Sequence, residues 1–284
     1  MKRQNDFIIK PGDLQLHGLR TEDIYFSYPA LNKSKLVEYK RSADKSLQEI
    51  KRLWETKKQG VGRHLLMGHA FEALLLEPGY YKQKFYVTMF EQWRGREGFL
   101  KTVNPKAKRG SRARFLKFLR QRGVEPLKKS EHERFVKMRD NLLQVLLPPL
   151  KKFGIRNVKD LLDRDFETQV IKVFQKEGVA CKVLADVYLE LPDGKLFICD
   201  IKTSRSICDI NTFFFDALKY NYHFQAALYL NAFQAENVLP YFPFLVANTT
   251  QPVVNAYHFT SFFLKKVEVE ILELIYLHKA MLKI

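Results

Sequence analysis

The sequence predicts an α/β protein, with a central mixed β-sheet flanked by helices and a helical, strongly basic N-terminal part. Three observations predict it. Residues 181–202, CKVLADVYLELPDGKLFICDIK, read as two strands joined through Pro192-Asp193-Gly194, and an Asp-Gly pair between alternating apolar runs is a strong hairpin signal. The stretches 62–76, 130–147, 210–235 and 262–284 read as helices on either side of strand-like segments. Lysine and arginine crowd the first half, and Glu125 is the only acid between residues 101 and 129.

In chain order, residues 1–40 are mixed, with Pro11-Gly12 and Tyr28-Pro29 marking loops. A helix opens within Leu31-Asn32-Lys33-Ser34-Lys35-Leu36 and runs to about residue 55. Asn32 or Ser34 suits its cap, and Leu47, Ile50 and Trp54 share one face. The 62–76 helix is apolar around much of its circumference, which predicts a central position, and Glu77-Pro78-Gly79 ends it. The basic tract follows, its first part loop-like and its second a short helix ending at Gly123. Ser130-Glu131-His132-Glu133 resembles a capping box for the 130–147 helix, which Pro148-Pro149 stops. Residues 166–177 alternate as a strand; Glu167 at its start reads as an exposed acid more than as a ligand. Residues 241–247 and 253–260 read as two further strands, and 262–284 as an amphipathic closing helix. The composition shift near residue 148 is a soft boundary inside a single 1–284 domain, between a helical, basic part and a sheet-bearing part.

Composition narrows the partners. A net charge of +17 over 284 residues calls for a polyanion, nucleic acid first, with anionic membrane surface satisfying the same arithmetic. No apolar run is long enough to cross a bilayer, and the N-terminal residues lack the apolar stretch of a secretory leader. Three scattered cysteines, Cys181, Cys199 and Cys208, have no zinc spacing and cannot supply a four-cysteine iron–sulfur cluster. The expected setting is a reducing cytoplasm, without a membrane partner.

The chemistry concentrates on the hairpin. Side chains alternate along a strand, so Asp200 and Lys202 share one face while Cys199 and Ile201 share the other. Two acids, Asp186 and Asp200, and a lysine in strands this apolar are costly unless paired or bound to a cation. An isolated Asp-x-Lys arises by chance and reads first as a solvated ion pair. Here an upstream acid, a hairpin turn and a following helix make a joint pattern. In that helix Tyr222, Gln225 and Tyr229 fall at helical spacing. Glu72, among Ala73, Leu74, Leu75 and Leu76, also needs a partner, and His69 lies one turn before it.

Asp-x(13)-Asp-x-Lys in this setting resembles the signature of the PD-(D/E)XK nuclease superfamily, with Ala185 in place of the usual proline. The ordered segments LNKSKL, GHAFEALLLEPGYY, PLKKSEHERFVKM, E-x-Q, CKVLAD, ICDIKTS and YNYHFQAALYL span most of the chain. Together they resemble the RecE-like (exonuclease VIII-type) phage and prophage exonucleases. The resemblance implies a restriction-endonuclease-like core in which Asp186 and Asp200 bind metal and Lys202 contacts the attacking water or scissile phosphate. Gln225 and Tyr229 would place the DNA strand. Where that family carries a histidine five residues before the glutamate of its H-x-L-L-L-E-P segment, this chain carries Glu72. Glu72 is therefore the expected helix-borne ligand, with His69 supporting it.

Magnesium, with manganese able to substitute, suits the oxygen set Glu72, Asp186, Asp200 and the Ile201 backbone carbonyl. Lys106, Lys108, Arg109, Arg112 and Arg114 of the basic tract would grip duplex phosphates. The implied activity is exonucleolytic digestion of linear double-stranded DNA from its ends, 5′ to 3′, by a ring-like homo-oligomer. The tails would pass to a single-strand annealing protein. A structure-specific or restriction-type endonuclease and a catalytically silent DNA-binding protein are the alternatives.

Overall fold

The computed structural model describes residues 7–10, 25, 28–41, 63–88, 117–205, 209–250 and 253–281. In chain order the first elements are β1 (Phe7–Ile9), α1 (Lys33–Arg41), α2 (Arg63–Leu76), α3 (Pro78–Lys84), β2 (Phe85–Thr88), β3 (Glu125–Lys128), α4 (Lys129–Leu142) and α5 (Val158–Leu162). There follow β4 (Glu167–Lys176), β5 (Val179–Glu190), β6 (Leu196–Ser204), α6 (Ile210–Lys219), α7 (Tyr222–Ala232), β7 (Phe244–Asn248), β8 (Val254–Tyr257) and α8 (Ser261–Met281).

Six strands form one mixed sheet in the order β1-β4-β5-β6-β7-β8. Neighbours are antiparallel except β6 and β7, which run parallel. A parallel pair needs a crossover, and α6 and α7 supply it. Helices cover both faces. On one, Leu36 and Tyr39 of α1, Phe224 and Leu228 of α7 and Ile271 and Ile275 of α8 bury against Val183, Ile198 and Phe244. On the other, Phe71 of α2, Phe135 and Met138 of α4 and Leu161 of α5 bury against Val187, Phe197, Cys199 and Leu245. The second core thus draws on residues from both sides of position 148. Among the described residues, no helix is long and apolar enough to cross a membrane.

The predicted strands and hairpin are present, and several helix boundaries move for identifiable reasons. Asn32 is the α1 cap, its Oδ1 accepting the Lys35 N–H at 3.0 Å. Pro78 does not end the helical run; it opens α3, at a position where its missing N–H costs nothing. The 130–147 helix begins at Lys129, and Glu131 Oε2 accepts the N–H of Lys128 at 2.8 Å, so the box is capped two residues earlier than Ser130. Asn221, at φ +56°, divides the 210–235 segment into α6 and α7. Two features carry too little periodicity to read from sequence: the three-residue β1, and a small parallel sheet of β2 and β3. Leu47, Ile50, Trp54, Cys208 and the basic tract through residue 116 lie outside the described residues.

One irregularity shapes the centre of the sheet. Cys181, Val183 and Ala185 of β5 face the first core, yet Val187 and Leu189 face the second. Strict alternation would keep odd-numbered residues on one side. The reversal falls at Asp186. Across from it on β4, Gln169 has φ +52°, and the ladder passes from Thr168↔Val187 to Val170↔Ala185 without pairing the residues between.

The hairpin turn depends on Gly194, whose φ of +73° is strained for any residue bearing a Cβ, although the space around it is open. Gly194→Ala should therefore destabilise the fold by about 1–2 kcal/mol through the backbone alone, read as a lowered urea midpoint with an unchanged m-value.

Candidate active site

The site forms where β5 and β6 part. Their ladder ends at Val187↔Cys199, and β6 then continues beside β7 from Asp200. In that register Asp186 and Asp200 are the next facing pair. The Asp186 side chain turns into the gap, and its Oδ2 accepts the Ile201 N–H at 2.7 Å. Asp200 forms an ion pair with Lys202 on the same strand face, and its Oδ1 accepts the Gln225 side-chain amide from α7. Cys199 and Ile201 point the other way, into the second core.

Helix α2 brings Glu72 from the opposite layer. Gly68 lets this helix lie close to β6, since a Cβ there would meet Thr203 Oγ1 at 3.3 Å. One turn later Glu72 Oε1 accepts the Gln169 side-chain amide. The residue with the strained backbone is therefore the one that holds the helix-borne carboxylate. A non-glycine residue in that conformation costs about 1–3 kcal/mol and persists only where its surroundings over-determine it.

These groups lie at and below a cleft of about 730 Å³. Glu72, His69, Ile201, Lys202 and Tyr222 line it, and Arg63, Arg134 and Arg205 add positive charge to its walls. Asp186, Asp200, Gln225 and Tyr229 are buried beneath. Two of the wall arginines also serve the protein: Arg63 pairs with Glu131 at 2.6 Å, and Arg134 donates to the Thr249 carbonyl at 2.7 Å. His69 is exposed on the cleft wall, one turn before Glu72. Tyr229 is tied to the sheet, its hydroxyl donating to the Leu184 carbonyl at 2.7 Å. Glu167 lies away from this cluster, in an ion pair with Lys10 at 2.5 Å.

The charges act on one another. Burial, then Asp200, then Glu72 push the Asp186 carboxyl well above its ordinary value, while Lys202 and the Ile201 N–H offset part of this. Burial alone would pull the Lys202 ammonium down; Asp200 and Asp186 outweigh it and raise it. Burial raises the Tyr222 phenol to about 12. Three mutually repelling carboxylates are hard oxygen donors of the type magnesium takes, so the donor chemistry fits a divalent cation. Among the described residues, no three His, Cys, Asp or Glu side chains are gathered closely enough to hold an ion as they stand. Gln169, Ile201, Gln225 and Lys202 hold the carboxylate oxygens instead, and a cation would compete with them.

Some contributors carry no sequence signal strong enough to single them out. Gln169 falls in the E-x-Q segment, but nothing local indicates its backbone conformation. Arg63, Arg134 and Arg205 are three basic residues among 48. Lys33 appears only as part of a helix start, although it approaches Tyr222 in space.

No family model matches the chain, and no curated protein matches it. Among solved structures, the crystal structure of a "Putative exonuclease" from Eubacterium rectale is similar to it, with a TM-score of 0.53 at 16% sequence identity. The match covers 93% of this chain and 87% of that one. The likeness extends over nearly the whole chain and establishes the fold, a mixed sheet flanked by helices.

The raised Asp186 pKa has a consequence for stability. A carboxyl whose folded pKa exceeds its unfolded one, near 3.8, stabilises the fold at low pH. That contribution is lost as pH rises through the folded value. At neutral pH Asp186 is therefore a cost when no cation is present. Asp186→Asn keeps an oxygen for the Ile201 N–H and removes the charge, so at pH 7 to 8 in chelator it should raise the thermal midpoint by a few degrees. An unchanged or lowered midpoint would contradict this account.

Proposed function

We propose that this protein is a magnesium-dependent exodeoxyribonuclease that degrades linear double-stranded DNA from its ends, 5′ to 3′, leaving single-stranded tails for recombination. The observation that carries the proposal is the approach of Glu72, Asp186, Asp200 and Lys202 from three elements at and below a cleft walled by Arg63, Arg134 and Arg205. Carboxylates alone would repel a phosphodiester; with a divalent cation and these cationic walls they suit one. The ordered motifs shared with RecE-like nucleases and the name of the structural neighbour point the same way.

In this proposal Glu72, Asp186, Asp200 and the Ile201 carbonyl would hold magnesium, for which manganese could substitute. A bound ion would polarise phosphoryl oxygens and lower the pKa of a water. Lys202 faces the cleft beside Asp200 and orients the attacking water while offsetting transition-state charge. Gln225, expected to place the DNA strand, is instead buried with its amide donating to Asp200, so it would act on the strand through that carboxylate, and His69 flanks Glu72. Tyr229 steadies β5 behind Asp186 and so acts on the strand's placement through the sheet. Lys106, Lys108, Arg109, Arg112 and Arg114 grip the duplex backbone. A ring-like homo-oligomer around DNA, a single-strand annealing partner and a cytoplasmic setting complete the proposal; these and the polarity come from the motif resemblance.

End-labelled linear duplex DNA, incubated with and without magnesium beside a closed circle of the same sequence, tests it. The expected result is magnesium-dependent loss of the linear form alone, with label released from the 5′ end first. Cutting of the circle would make the protein an endonuclease, and binding without cutting would make it a catalytically silent DNA-binding protein. Asp200→Ala should slow digestion at least about a hundred-fold, since metal stabilisation of the transition state is worth several kcal/mol.

A further inference from the structure

Lys33 occupies a position that the catalytic cluster does not explain. It is the first residue of α1, and two backbone bonds fix the chain just before it to β5. Leu31 N–H donates to the Ala180 carbonyl and Lys182 N–H to the Leu31 carbonyl, each at 2.8 Å. The Asn32 cap and the buried Leu36 then set the direction of the helix. So placed, the Lys33 ammonium lies 5.5 Å from the centre of the Tyr222 ring, and the Lys202 ammonium lies 5.3 Å from the same centre. Lys202 and Tyr222 line the cleft, and Lys33 reaches the same ring from α1.

Among the described residues, Lys202 alone of the two has an ion-pair partner. Asp200 pairs with Lys202. Among the described residues, no carboxylate forms an ion pair with Lys33, and Asp200 acts on it only at longer range. Burial first, then repulsion from Lys202, lowers the Lys33 ammonium to about 8, with Arg41 of its own helix adding to the repulsion. A ring face attracts a cation, but two desolvated ammonium groups beside one tyrosine still repel each other. An anion beside Tyr222 would pair with Lys33 and offset its repulsion from Lys202.

We infer that Lys33 is a second phosphate-binding cation of the site, acting with Lys202 against Tyr222 to hold a backbone phosphate of the bound DNA strand. The inference rests on the nuclease proposal and adds a strand contact to it. Its plain competitor is structural: Lys33 would only dock α1 onto Tyr222 of α7.

The test is equilibrium binding of a fluorescent linear duplex in chelator, over a range of salt, for the parent, Lys33→Gln and Lys33→Arg. Loss of one phosphate contact should weaken Lys33→Gln binding about tenfold at low salt and reduce the slope of log K against log salt by about 0.9. Lys33→Arg should restore both. Between pH 7 and 9 the parent should lose affinity as Lys33 deprotonates among Lys202, Asp200, Arg41 and Tyr222. The arginine variant, which stays charged, should lose less. That second variant keeps the test decisive if Lys33→Gln folds poorly. A parent that binds with a full salt slope, together with a Lys33→Gln variant that binds identically, overturns the assignment of Lys33 alone. So does a lower thermal midpoint with an unchanged slope. A parent that binds no duplex at any salt overturns the nuclease proposal on which it rests.

Discussion

Two buried aspartates held face to face form the constraint around which this protein is arranged. The antiparallel pairing of β5 with β6 runs out at Val187 and Cys199, which leaves Asp186 and Asp200 as the next opposed pair, at 9% and 2% exposure. Burial first, then repulsion from Asp200, opposes ionisation of Asp186 and raises its carboxyl. The structure offsets the repulsion with three donors drawn from different directions: Lys202 from the same strand, the Ile201 N–H from the backbone and Gln225 from α7. Each is set by an element anchored in a core, so the stability of the two hydrophobic layers is what keeps the carboxylates together.

The reversal of β5 at Asp186 gives the arrangement its geometry. A regular sheet would send alternate side chains to opposite layers, and acids on one face could not meet a carboxylate borne by a helix on the other. Here the ladder skips one position on each strand, Gln169 takes a positive φ, and its amide reaches Glu72 on α2. Gly68 allows the approach of that helix to β6. A strained residue, an interrupted ladder and a close helix–strand contact thus fall within one small region, as expected where local regularity has been given up for a site.

The cleft above this cluster combines positive charge with aromatic surface. Arg63, Arg134, Lys202 and Arg205 come from α2, α4 and the end of β6, and Tyr220 and Tyr222 come from the start of α7 and the turn before it. Asp216 and Glu131 also line the cleft, so its walls are mixed in sign, and Glu131 is already paired with Arg63. The electrostatic balance therefore depends on which cations retain a free hydrogen-bonding face once the protein's own contacts are made. That is why Lys33, which no carboxylate among the described residues pairs with, stands out.

Much of this was determined by the sequence itself. The hairpin at Asp193-Gly194, the alternation that puts Asp200 and Lys202 on one face, the long helices, the strand before the hairpin and the two strands after it all follow from period-two and helical patterning. So does the call for a partner at Glu72, because a carboxylate in an apolar helix cannot be left alone. What tertiary structure decided were the features with no local period. Gln169 has an ordinary strand sequence around it, and only its neighbours force it out of strand geometry. Pro78, Ser130 and Asn221 sit in segments compatible with more than one boundary, and packing chose among them. Lys33 and Tyr222 are 189 residues apart, and only the seating of α1 against β5 and α7 brings them together. Patterning along a chain records which face a residue presents, whereas which residues meet is set by how the layers close around the cores.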